Sequence, residues 1–262
     1  PDEASELVER ALVDGRWLGH PFALHQGHFA RALSFGHRGR IADAMNAIDT
    51  GLRVAQEAGE SGSRFVAGNE NARTWVLRSI GRLSEADEIN ERVFESTAEP
   101  ARMEMHCASV LDLLEGRLLT GDVEGAMGAV ERARVVESFN GSMAWHHRQR
   151  FLTQQARLAV LQGEPSEDLT ATVIGDAVAR GSLRYELLAR AVGGEVDVLP
   201  RLERVAGMEA WWMTAELAAR RDDDALWRDA DRRAEALVRT AGPYAEDLRV
   251  WVATRFKALG RP

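Results

Sequence analysis

His25 and His28 stand three residues apart in "ALHQGHFARAL". On a helix that spacing brings two imidazoles to one face, close enough to share a metal ion. No third ligand follows at a familiar distance and His-Glu-x-x-His is absent, so the pair reads as part of a polar helix face. His146 and His147 are adjacent; on a helix they diverge by about 100° and do not chelate together. Cys107 is the sole cysteine and lies in the apolar stretch "MEMHCASVLDLL", which suits a buried thiol better than a nucleophile. In "RRDDDALWRD", Asp222 to Asp224 fit a helix start, where the dipole favours negative charge, better than a metal site. The remaining carboxylates scatter along helix faces as solvated charge does. There is no Walker-type loop, no Gly-x-Gly-x-x-Gly and no Gly-x-Ser-x-Gly elbow. The expectation is a protein without a catalytic set, a metal site or a cofactor, and not an enzyme.

What would position such residues is helix throughout. Alanine, leucine, arginine and glutamate dominate, seven prolines are spread thinly, and no run alternates apolar with polar residues. The 262 residues suffice for one large domain or two small ones. With 41 acidic against 33 basic residues the formal charge is -8, a field that disfavours direct nucleic-acid binding. Lys257 is the only lysine, an arginine bias that reads as genomic before it reads as chemical. No apolar run approaches the ~20 residues that span a bilayer, and the acidic amphipathic start "PDEASELVERALVDG" is unlike a signal peptide. With one cysteine, these features suggest a cytoplasmic protein that makes no membrane contact. The missing initiator methionine suggests a piece of a longer chain.

A beat recurs along the first two thirds. Glycines at 39, 81, 121 and 163 are separated by 42, 40 and 42 residues. After them come small or apolar residues spaced by seven: Ala44 and Gly51, Ala86 and Val93, Ala126 and Ala133, with Asp168 and Gly175 as the imperfect fourth copy. Each unit reads as two antiparallel helices with the glycine in the turn between them, and periods of this order mark stacked repeats. Ser84 and Asp87 resemble a capping box, and Pro165 suits a first helical turn. Beyond Gly181 the beat loosens into a shorter pair and three further helices, with Gly242-Pro243 as a stop and start. The expected fold is all-α, a right-handed α-solenoid of antiparallel helix pairs. Residues 1–181 would hold the repeats, and 182–262 a helical continuation and cap of the same domain. Trp211 and Trp212 diverge on a helix, so one is expected in the core and the other partly exposed at an edge or subunit contact.

The pattern resembles the tetratricopeptide repeat. Seven residues before each turn glycine stand Ala32, Thr74, Leu114 and Ala156, and five after it Ala44, Ala86, Ala126 and Asp168. The large residue expected four before the glycine is met by Phe35 and Leu77, with Arg117 and Ala159 in the later copies, and the period exceeds the usual 34. Longer units of this kind are similar to the superhelical regions of maltose-regulon-activator-type transcription regulators and of large bacterial ATPase-linked signalling proteins. The likeness covers roughly residues 17 to 181. It implies that the first helix of each pair lines a concave surface, presenting Phe29 and Leu33, then Asn71, Trp75 and Arg78, then Glu115, then Arg150, Thr153 and Arg157. Trp75 is open to two readings, a wall of a binding groove or a filler between helices. Arg150 and Arg157, two turns apart, suit an acidic segment or the glutamates of a neighbouring helix.

The first function this suggests is a non-enzymatic interaction or sensory module of a bacterial regulator. It would bind a peptide, partner domain or effector, and report to an ATPase or DNA-binding output domain in the parent chain. The second is a small-molecule receptor with Phe29, Trp75 and Arg157 as walls; the third is an enzyme on a helical toroid. Homodimerisation stays open, since a stack cut from a longer chain exposes an apolar end.

Overall fold

The computed structural model describes residues 2–261, and among them the chain is helical throughout, with no strand. The helices are α1 (Asp2–Leu18), α2 (Pro21–His37), α3 (Ile41–Glu57), α4 (Glu60–Ser79), α5 (Leu83–Ser96), α6 (Met103–Thr120), α7 (Val123–Ala133) and the single turn α8 (Val135–Ser138). They continue with α9 (Ala144–Gln162), α10 (Glu167–Arg180), α11 (Leu183–Val192), α12 (Leu199–Val205), α13 (Gly207–Arg221), α14 (Asp224–Thr240) and α15 (Ala245–Ala258). Among the described residues no helix is long and apolar enough to cross a membrane.

The turn glycines sit between paired helices where the sequence puts them. Gly39, Gly81, Gly121 and Gly163 have φ of 73°, 84°, 76° and 72°, the left-handed region that L side chains rarely adopt. Asp122 caps α7 by accepting from the Gly125 amide at 2.9 Å, and Asp223 caps α14 by accepting from Ala225 and Leu226. Two local expectations fail. Arg82, without a side-chain cap, precedes α5, so Ser84 lies inside that helix and forms no capping box. Pro165 stands one residue before Ser166, the cap of α10, because the link after Gly163 is longer than after the other glycines. The longer link also shifts the small-residue face of α10 by two positions. Thr170 and Ala177 are buried, seven apart, while Asp168 and Gly175 are exposed.

Packing follows from the small residues. Ala44, Ala86, Ala126 and Ala133 are buried on the second helices, as are Ala32, Thr74, Leu114 and Ala156 on the first. Consecutive helices pack as antiparallel neighbours, and the first helices also touch one another in order: α2 with α4, α4 with α6, α6 with α9, α9 with α11, and α11 with α13. The row then returns to its start, because α13 packs on α2, α14 on α3 and α15 on α6. An open stack ending in a cap has no such contact, so α2, α4, α6, α9, α11 and α13 form a closed inner circuit. Close approach makes the closure. A Cβ on Gly207 would stand 2.9 Å from the His37 carbonyl oxygen, and Thr240 Oγ1 donates to the Gly39 carbonyl at 2.6 Å. Trp251 of α15 covers the Gly81 turn, where a Cβ would meet its side chain at 2.5 Å.

Closure also corrects the tryptophan expectation. Trp211 is 0% and Trp212 4% exposed, because α13 packs against α2, α11, α12 and α14, and Phe256 of α15 meets the Trp211 ring at 6.0 Å. His25 and His28 are buried too, not on a polar face. His25 stacks on Phe65 at 4.4 Å and its Nε2 lies 3.1 Å from the Phe65 carbonyl oxygen.

The turn glycines separate the cost of backbone from the cost of closure. Gly121→Ala, with no neighbour within 4 Å of the added methyl, should lose about 1–2 kcal/mol from the strained φ alone. Gly81→Ala carries the same strain and must displace Trp251, so urea unfolding should show a further loss of about 1–3 kcal/mol. Equal losses in the two variants would mean that α15 does not hold the ring.

Candidate functional site

The inner helices turn both charge and aromatic surface into the ring. Asp112, in the middle of the apolar helix α6, accepts from Asn71 Nδ2 and Thr74 Oγ1 at 2.8 Å each, and from Arg78 at 3.1 Å. Glu115, one turn on, accepts from Arg78 and Arg150 at 2.8 Å each, and Arg150 also pairs with Asp112. Arg184 of α11 pairs with Glu209 of α13, and Glu216 accepts from Arg157 and Arg255 at 2.8 Å each. Five arginines, from α4, α9, α11 and α15, thus meet four carboxylates of α6 and α13. Burial works against the Glu115 carboxylate, but Arg78, Arg150 and Arg157 hold it well below the usual range. Burial likewise opposes the charge on Arg150, and Asp112 and Glu115 reverse the effect and raise its pKa.

Beside this cluster lies a cavity of about 190 Å³. Phe29 and Leu33 of α2, Asn71 and Trp75 of α4, Glu115 of α6 and Arg150 of α9 line it, six residues that the sequence reading assigned to a binding face. Arg78 is buried, paired with the floor carboxylates Asp112 and Glu115. Thr153 and Arg157 face a separate space of about 20 Å³, near the size of one water molecule, which Glu115, Arg150 and Arg184 also border. The ring edge of Trp75 fills the space over Gly36, and the same residue lines the cavity. Arg150 and Arg157 are paired with carboxylates of the chain itself, Arg150 with Asp112 and Glu115, and Arg157 with Glu216. Asp112, Glu115, Glu209 and Glu216 in turn correct the expectation that carboxylates here are solvated surface charge.

No family model, no curated protein and no solved structure matches the chain.

Sequence reasoning missed the other polar walls of the cavity: His37, Glu104, Asp112, His146, His147, Arg184 and Tyr185. His146 and His147 had been weighed only as metal ligands and His37 not at all, and among the described residues no group of three or more His, Cys, Asp or Glu side chains is placed to hold a metal ion. Their role is as neutral imidazoles. Burial and then Arg184 lower the pKa of His37 to about 4; burial, His147 and arginines lower His146 to about 3; burial and Arg150 lower His147 to about 4. His146 Nε2 lies 2.9 Å from the Tyr185 hydroxyl, while both ring nitrogens of His147 are buried without a protein partner. His37 leans on Trp75 with ring centroids 4.9 Å apart. A carboxylate flanked by apolar residues in "SVLDLL" was the one available signal for Asp112. Cys107 is fully buried, with its thiol pushed up to about 11 by burial and then by Glu104, so little thiolate forms.

These shifts fix the acid response. The unfolded chain protonates these three histidines near 6.5, the folded one only near 3–4, so between those limits the unfolded state holds more protons and stability falls as pH falls. Over the roughly two pH units from 6.5 to 4.5 a single imidazole contributes up to about 3 kcal/mol to that loss. Glu115, depressed in the fold, adds its own loss only below the ordinary carboxylate range, about pH 4.3. Urea unfolding between about pH 7 and 4.5 should therefore show a continuous decline, and His147→Gln should reduce its slope by about one proton. An unchanged slope in that variant would remove His147 from the account.

Proposed function

We propose that the chain is a non-catalytic receptor whose ring interior binds a small organic molecule. The supporting observation is the cavity lined by apolar Phe29, Leu33 and Trp75 together with Asn71, Tyr185 and three neutral imidazoles. Such a lining, mostly apolar with a few convergent polar groups, is what small-ligand sites have in common. The ionic cluster at its floor is already neutralised by its own members and Glu104 adds a carboxylate to the wall, so an uncharged, planar ligand with hydrogen-bonding groups fits better than an acidic peptide. The likeness to the superhelical regions of transcription regulators and ATPase-linked signalling proteins supports the further step, that occupancy is reported to an output domain in a longer parent chain. We read the ring as a repeat of helical hairpins bent until its ends meet, and the buried solitary thiol as suited to a reducing compartment.

Catalysis fits this interior less well. Glu115 is held as an anion by guanidiniums, and imidazoles with pKa values of about 3–4 lie far from the neutral range that favours proton transfer at physiological pH.

A thermal-shift and tryptophan-fluorescence screen of neutral heteroaromatic compounds against the full protein tests the proposal. We expect saturable one-to-one stabilisation, weakened at least tenfold by Trp75→Ala, about 1.4 kcal/mol. Response to peptides alone, or binding untouched by that substitution, would defeat it.

A further inference from the structure

A second cavity, of about 250 Å³, lies away from Trp75 and the histidines. Its wall is apolar, from Val160 and Leu161 of α9, Val192 of α11 and Leu259 just after α15; its charged members are Arg157, Glu216 and Arg220. Arg157 and Arg255 both donate to Glu216 Oε1 at 2.8 Å. Arg220, one turn beyond Glu216, donates to the carbonyls of Val192 and Ala191 at the end of α11, at 2.9 and 3.2 Å. Three guanidiniums thus gather around Glu216, and Glu115, the other carboxylate that acts on Arg157, is already bound by Arg78 and Arg150.

The hydrogen bonding is short in the same direction. Arg157 is 4% exposed, yet its Nε and Nη1 have no protein acceptor, and neither has Nε of the buried Arg255. The Trp212 ring, 4.2 Å from Arg157 Cζ, serves the face of that guanidinium but not its in-plane N–H groups. Burial lowers the Arg220 pKa even with Glu216 beside it, and Arg221 and Arg157 add to the lowering, so another anion here would relieve it.

We propose that this cavity binds a small monocarboxylate with a short hydrocarbon tail. The carboxylate would face Arg157 and Arg220, and the tail would lie along Val160, Leu161, Val192 and Leu259. A guanidinium fork matches a carboxylate in geometry, and the apolar wall selects a tail that inorganic phosphate lacks. This site is independent of the receptor reading of the first cavity, because the two share no lining residue.

Calorimetry and thermal shift on the full protein with sodium octanoate test it, with 1-octanol, octylamine and inorganic phosphate as comparators. Octanoate should bind saturably at one per chain, at least tenfold tighter than each comparator. Leu161→Asp, on the rim where Leu161 is 37% exposed, should abolish binding while leaving the unliganded melting temperature nearly unchanged. Arg220→Gln should weaken it about fivefold or more, and Trp75→Ala should leave it intact. Octanol binding as tightly as octanoate, phosphate binding as tightly, non-saturable uptake, or wild-type affinity in Leu161→Asp would each overturn the proposal. Loss of octanoate binding in Trp75→Ala would place the molecule in the first cavity and overturn it as well.

Discussion

Charge buried inside a ring of helices must be answered by charge, and the rest of this molecule is arranged around that demand. A lone carboxylate at the position of Asp112 would have to give up its charge or unfold the helix that carries it. Here it meets Arg78, Arg150, Asn71 and Thr74, which come from α4 and α9 on either side of α6. Glu115 binds the same two arginines, and Glu216 joins Arg157 of α9 to Arg255 of α15. Every one of these pairs crosses between helices. The network therefore sets which helix stands beside which, where an apolar interface would tolerate sliding.

The same network shapes what the interior can receive. Guanidinium forks committed to internal carboxylates offer little to an acidic peptide, and the aromatic wall beside them remains the part of the first cavity free to make contact. The histidines extend that wall instead of charging it, since burial and neighbouring arginines keep them neutral. At the other end, around Glu216, cations outnumber anions. The interior thus has two chemically unlike regions although the chain as a whole is acidic.

Part of this was legible in the sequence. Turn glycines and the small residues around them placed the hairpins, and the resemblance to the tetratricopeptide repeat named six residues that line one cavity. What escaped has identifiable physical reasons. Closure depends on contacts such as Thr240 with Gly39, two hundred residues apart, and leaves no periodic trace. The register of α10 slipped because the link after Gly163 is longer than its counterparts, which a count from the glycine cannot register. Asp112 was overlooked because a carboxylate on a helix is usually solvated, and only its arginine partners, far off in sequence, reveal its burial. Trp211 and Trp212 needed knowledge of both sides of α13, one of which is supplied by α2.

The seam between α13 and α2 carries one more consequence. Linear arrays of hairpins melt piecewise, because each unit answers only to its neighbours and the ends fray first. A row whose last inner helix rests on its first has no end to fray, and breaching it anywhere exposes two interfaces at once. Such a chain should unfold as a single cooperative body, and deleting a hairpin from its middle should do more harm than the same deletion does in an open array.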